Sequence, residues 1–274
     1  MKKTRSFRLS ILFSFLSLAI FAKGSFSVHH LTCEQETNPL GIEKLQPRFS
    51  WQINAEERNF EQSAWQILVA DTPEALNSDN GTVWNSQKVN SPASILVPFE
   101  GNGIKAGHTY FWKVRIWDKQ GNVSPWSSVN RFHIGLLSEK DWSNAKWIAL
   151  EKDKKDEIIT TGIHAPLANN VLGDKKTGMY RLPQFRKEFM VGKLLKRAVA
   201  YVSGLGHFDL FLNGNKVGDH FLDPGWTKYD KCALYASFDI TGQLQQGSNA
   251  VGIMLGNGFF NIPRERYYKM LTSY

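Results

Sequence analysis

Cysteine is almost absent: Cys33 and Cys232 are the only two in 274 residues. Two thiols cannot build a cysteine-based zinc site. A disulfide between them is permitted in an oxidising compartment but not implied, because they stand 199 positions apart and in different blocks of the sequence. Catalytic signatures are missing too. There is no G-x-S-x-G elbow, no Walker loop, no H-E-x-x-H and no metal-type Cys/His spacing. The glycine pairs Gly204/Gly206 and Gly256/Gly258 lie in β-type sequence and open no helix, which excludes a helix-terminus phosphate site. No segment after the N-terminus repeats apolar residues at helical period, so helical bundles and α/β folds are excluded.

The apolar run Leu9–Ala22 (LSILFSFLSLAIFA) is fourteen residues, short for a bilayer span. Lys2, Lys3, Arg5 and Arg8 precede it, and Ala22-Lys23-Gly24 follows with small residues at the cleavage-side positions. That is the plan of a signal peptide over residues 1–24 and predicts an exported, periplasmic, surface or secreted protein with no membrane association after cleavage. The segment holds five of the 33 basic residues and none of the 25 acidic ones, so the net charge of +8 falls to +3 in the mature chain. No basic stripe remains to argue for nucleic acid.

What is present is β-type alternation broken by Gly, Pro, Asn and Asp, which predicts an all-β chain. In the first block, residues 25–137, the candidate strands are 30–36, 47–53, 64–70, 83–89, 94–98, 109–117 and 129–134. Seven short strands match an immunoglobulin-like or fibronectin-type sandwich. In HTYFWKVRIWD, His108–Asp118, the residues Tyr110, Trp112, Val114 and Ile116 share one face, while Lys113 and Arg115 share the other, which is expected to be wet. Eight of nine tryptophans fall between Trp51 and Trp147, and filling a sandwich core explains them better than a sugar platform does. Residues 138–145 read as a linker. A charged, unpatterned excursion covers 151–178. The second block, 146–274, carries strands at 184–191, 196–203, 207–213, 233–240 and 249–255, with Asn213-Gly214 as a hairpin turn. This is a second, jelly-roll-like sandwich whose pattern is still running at Phe260, and it reads as truncated.

The densest polar cluster is LFLNGNKVGDHFLDPGWTKYD, Leu210–Asp230. Trp226 and Tyr229 suit stacking on a pyranose, and Asn213, Asp219, Asp223 and Asn257 suit hydroxyl recognition, so these six are the carbohydrate-binding candidates. The alternative is a packing corner in which Asp223-Pro224-Gly225-Trp226 is a turn anchored by a buried tryptophan. His207 and His220, near Asp209 and Asp219, read as hydrogen-bonded structural histidines. Sequence spacing on a loop does not set the separation a carboxylate pair needs for glycoside hydrolysis.

LNGNKVGDHFLDPGWTKYD, LYASFDIT and GSNAVGIMLGNGFFNIPRERY resemble the N-terminal β-sandwich module of bacterial α-L-rhamnosidases. CEQETNPLGIEKLQPRFSW, AWQILVA, YFWKVRIWDKQGNVSPWS and FHIGLLSEKDWSNAKWI resemble the fibronectin-like module before it. The resemblance implies an inverting glycoside hydrolase that removes terminal α-L-rhamnose from plant glycans. It places the acid and base in an (α/α)₆ barrel beyond these modules, so the expectation is a fragment with no catalytic residue in this chain. The implied partners are a rhamnose-containing glycan and the barrel of the same polypeptide. No cofactor is expected. Calcium is known in related modules, but no metal ligand maps onto this chain. The competing readings are a secreted adhesion protein and a free-standing carbohydrate-binding module. The fragment reading also predicts that residues 25 to about 135 fold alone, while the whole chain, with an unpaired sheet edge, aggregates or dimerises.

Overall fold

A computed structural model describes residues 26–150, 182–256 and 258. The signal-like segment, the charged excursion and Asn257 lie outside the described residues. The chain is nearly all β, as the alternation predicts. No helix among the described residues is long and apolar enough to cross a membrane.

The first block packs a three-stranded sheet on a six-stranded one. β1 (Phe26–Cys33), β3 (Arg48–Ala55) and β7 (Val97–Pro98) form the smaller sheet. In the larger, β2 (Leu40–Ile42) runs parallel to β9 (Asn130–Ile134), followed by β8 (Thr109–Asp118), β4 (Gln62–Ala70) and β5 (Trp84–Asn85), with β6 (Val89–Asn90) also on β4. The inward residues of both sheets meet in one aromatic core. Phe49 lies 4.4 Å from Trp112 and 5.6 Å from Phe132, centroid to centroid. Truncating a ring as buried as Trp112 costs about 3–5 kcal/mol. The Trp51 indole donates to Gln62 Oε1 at 3.0 Å, and the Gln62 amide in turn reaches Ala93 O at 2.8 Å. A polar pair is thereby satisfied inside the core.

Several expectations need correcting. The 83–89 strand is two short strands, because Gln87 turns to φ 55° and the Ser86 hydroxyl takes the Ile67 N–H that a continuous strand would have claimed. A one-turn helix, α1 (Pro73–Asn77), follows β4; its Thr72 cap and Pro73 start were readable but too short to show a period. It also overturns the wet face of β8. Lys113 is buried, its Nζ bonded to Leu76 O and paired with Asp79 where α1 ends. The tryptophan reading holds for Trp51, Trp65 and Trp112, which are buried. Trp117 and Trp126 are half-buried, and cations cover their faces. Arg115 lies 5.2 Å from the first ring centroid and 4.5 Å from the second, Lys88 4.9 Å from Trp117 and Lys113 4.8 Å from Trp126. Rings already stacked on cations leave little face for a sugar.

The second block has a four-stranded sheet, β10 (Gln184–Val191), β15 (Gly247–Leu255), β12 (Phe208–Leu212) and β13 (Asn215–Lys216), and a two-stranded one, β11 (Val199–Ser203) with β14 (Tyr235–Asp239). Phe208, Leu210, Leu212, Val217, Ala236 and Phe238 form the core between them. Cys33 is buried and Cys232 exposed, and both thiols are free.

Candidate binding loop and the seam between the sandwiches

The β12–β13 hairpin turns at Asn213-Gly214, with Asn213 at φ 51° and Gly214 at φ 85°, the left-handed pair a tight hairpin requires. The Asn213 amide is fully engaged. Its Oδ1 accepts from Ala250 N at 2.9 Å, and its Nδ2 donates to Gln243 O at 3.1 Å and Asn249 Oδ1 at 2.9 Å. Asn249 is itself buried and clasps Gln245 and Gly247. Asn213 is thus a clip that sets the register of β12 against β15, and its amide is taken up by Ala250, Gln243 and Asn249.

Beyond Val217 the chain leaves the sheet. Asp219 is exposed. His220 Nδ1 and Asp223 Oδ2 are 2.7 Å apart. Asp223 O accepts from Phe208 N at 2.7 Å, and Leu222 O lies 2.8 Å from His207 Nδ1. Both histidines are therefore structural partners, and no group of three or more His, Cys, Asp or Glu among the described residues is placed to hold a metal. The turn at 223–226 is anchored by Pro224, which is buried, and not by Trp226, which is 60% exposed. Tyr229 is half-buried, and burial pushes its phenol up. Of the six candidates, Asp219, Asp223, Trp226 and Tyr229 share this loop, Asn213 sits in the hairpin before it, and Asn257 lies outside the described residues.

Sequence reasoning missed the feature best defined by geometry, a polar seam joining the sandwiches. His133, at the end of β9, is 2% exposed. Its Nε2 is 2.5 Å from the Tyr201 hydroxyl of β11, and its Nδ1 is 2.8 Å from Thr109 Oγ1. Arg197 reaches from the second block to donate to Thr109 at 2.7 Å, and pairs with Asp239 at 3.3 Å. Leu136 N donates to the Tyr235 hydroxyl at 2.9 Å. Two glycines make the approach close enough. A Cβ on Gly135 would lie 2.3 Å from the Tyr235 oxygen, and one on Gly41, at φ +87°, would lie 2.7 Å from Ser237 Oγ. The segment read as a linker is ordered: Asp141 caps Leu137 and Ser138, and Trp142 packs edge-on against Tyr235 at 5.5 Å.

Burial dominates the electrostatics of the seam. It lowers the His133 imidazole to about 4, with the Arg197 charge adding to the effect. It pushes the Tyr201 and Tyr235 phenols up and weakens the hold of Arg197 on its proton. Burial pushes Asp239 up as well, but hydrogen bonds from Thr241 and the Arg197 charge outweigh it and hold the carboxyl low. A neutral His133, with one donor and one acceptor nitrogen, satisfies Tyr201 and Thr109 together. The arrangement fixes the two sandwiches against each other.

Comparison with known proteins places both blocks. The Rha78A-like, N-terminal immunoglobulin domain matches residues 28–138, and the Alpha-L-rhamnosidase N-terminal domain matches residues 193–272. An α-L-rhamnosidase of Formosa agariphila is 40% identical over 265 residues, covering 91% of this chain and 27% of its own length. One from Alteromonas sp. (strain LOR) is 34% identical, covering 82% of this chain and 23% of its own. The solved α-L-rhamnosidase from Dictyoglumus thermophilum superposes with a TM-score of 0.73 at 37% identity, covering 85% of this chain and 25% of that one. The Streptomyces avermitilis α-L-rhamnosidase complexed with L-rhamnose shares the fold at a TM-score of 0.71 and 21% identity, covering 86% and 37%. The chain spans about a quarter of the length of the first curated relatives it matches.

Proposed function

That this chain carries the two N-terminal β-domains of the α-L-rhamnosidases is the premise from which we propose that it is the non-catalytic scaffold of an exported α-L-rhamnosidase. The seam is the observation that carries this reading. A His133–Tyr201–Arg197–Thr109 network, buried and closely fitted around Gly41 and Gly135, makes two domains into one block, which is what a support for a larger catalytic part requires. In the whole enzyme, an acid on the catalytic part would protonate the leaving oxygen and a base would activate water on the opposite face of the rhamnose ring. This chain contributes neither group. Export rests on the basic head and apolar run of residues 1–24; N-terminal sequencing of the extracytoplasmic product should begin near Ser25.

Expressing the downstream catalytic part with and without residues 25–258 tests the scaffold role. Soluble, active enzyme is expected only in their presence. A catalytic part equally soluble and active alone would refute it.

A second reading, a carbohydrate-binding role for the 217–230 loop, is favoured by the exposed indole of Trp226, because an exposed ring on the same loop as the exposed Asp219 suits a pyranose face and its hydroxyls. Calorimetric titration with millimolar L-rhamnose should give heat that Trp226→Ala abolishes. No heat would exclude it.

A further inference from the structure

The 217–230 loop holds large apolar side chains in water by rigid means. Phe221 is 85% and Leu222 69% exposed, and Trp226 follows four residues later. Scattered single apolar residues on a surface are ordinary, but three on one short loop mark a contact surface. The tip is not loose. Leu222 O meets His207 Nδ1 at 2.8 Å, Asp223 O accepts from Phe208 N at 2.7 Å, His220 meets the Asp223 carboxylate at 2.7 Å, and Pro224 is buried beneath. Leu222 stands at φ 58°, a left-handed conformation that L side chains adopt at a cost, so the surrounding bonds hold the tip in this shape. Lys216 Nζ, paired with Asp209, sits 5.2 Å from the Phe221 ring centroid and leaves the rest of the ring to solvent.

The path of the chain indicates the occupant. Gly258, the last described residue, runs against the segment that pins the tip: a Cβ on it would lie 3.0 Å from Gly206 Cα and 3.1 Å from His207 N. Gly256 N donates to His207 O at 2.6 Å. Gly258 therefore lies beside the segment that pins the Phe221–Leu222 tip. The relatives carry about three quarters of their length outside the part matched here, and the matched domains are their N-terminal ones. We propose that Phe221, Leu222 and Trp226 form the surface on which the catalytic part of the longer enzyme docks. The proposal rests on the scaffold reading and names the face of the scaffold that meets its load.

The test is Phe221→Ser/Leu222→Ser in two settings, residues 25–258 and the whole enzyme, with hydrogen exchange across 217–230 in each. In the two-domain polypeptide the double variant should melt within about 1 °C of the parent, because the side chains are already in water. In the whole enzyme, amides of the loop should exchange at least tenfold more slowly than in the two-domain polypeptide, and the double variant should lose that protection and inactivate severalfold faster on heating. An active whole enzyme whose loop exchanges as in the two-domain polypeptide, with a double variant as durable as the parent, overturns the docking surface and leaves the scaffold reading standing. Loop protection that depends on the concentration of the two-domain polypeptide, or on added L-rhamnose, overturns it in favour of a second copy or a sugar. A reading frame without a catalytic part defeats the scaffold reading and this proposal together.

Discussion

Acid should weaken this molecule through His133 before it reaches the carboxylates. Burial, aided by the Arg197 charge, lowers the imidazole from 6.5 to about 4. The unfolded chain takes up its proton near 6.5, so between those values the unfolded state binds more protons and stability falls as the pH falls. The contribution is complete above about 6.5 and lost on descending through about 4. At pH 4.5 the loss works out at about 2–3 kcal/mol, since each tenfold difference in proton affinity between the folded and unfolded states is worth about 1.4 kcal/mol. His133 is nearly sealed from solvent, so screening takes little from that figure. The groups that face it are Tyr201, Thr109, Arg197, Asp239 and His108, and of the charged ones Asp239 is held low and stays ionised in this window. The assay is urea denaturation of residues 25–258, at one fixed concentration dilute enough to be monomeric by light scattering, at pH 7.0 and 4.5, beside His133→Gln, whose amide offers donor and acceptor groups and does not titrate. The parent should lose about 2 kcal/mol more than the variant across that interval. Equal losses, or an NMR titration placing His133 near 6.5, would refute the reasoning.

Other outcomes follow from the same geometry. Tyr201→Phe strands a buried His133 nitrogen and should cost about 1–3 kcal/mol in chemical denaturation. Gly135→Ala drives a Cβ into the Tyr235 oxygen and should separate the sandwiches, seen as faster exchange at Leu136 and as loss of cooperativity between the two blocks in calorimetry. Asn213→Ala should destabilise the second sandwich by about 2 kcal/mol, since it leaves Ala250 N without its acceptor, whereas Asp219→Ala should stay within about 0.5 kcal/mol of the parent. Lys113→Met removes the cation that meets Leu76 O and Asp79, and should loosen α1, read as faster amide exchange over 75–80, while the core around Trp112 holds.

Strand alternation made most of the fold legible. The runs around Trp112 and Leu210 alternate over enough residues to show which side chains enter the core, and Asn213-Gly214 announces its hairpin. What local pattern could not carry was anything set by a distant partner. Lys113 reads as solvent-facing until α1, nearly forty residues earlier, is laid over it. β2 pairs in parallel with β9 some ninety residues on. The seam was hidden for the same reason. His133 is a polar residue within the apolar run Phe132-His133-Ile134, a visible anomaly, but its partner Tyr201 lies 68 positions away. The candidate loop was legible as a dense cluster, not as a set of roles. Asn213 looked like a ligand because its partners, Asn249 and Ala250, are too far along the chain to read beside it. Trp226 suited a buried anchor on its spacing alone, and Pro224 occupies that place instead.

The central claim is that this chain holds an enzyme together and does none of its chemistry. Incubating purified residues 25–274 with p-nitrophenyl α-L-rhamnoside measures that directly. The account predicts release indistinguishable from buffer, with turnover appearing only when the catalytic part is joined or supplied. Rhamnose release by this chain alone would contradict it.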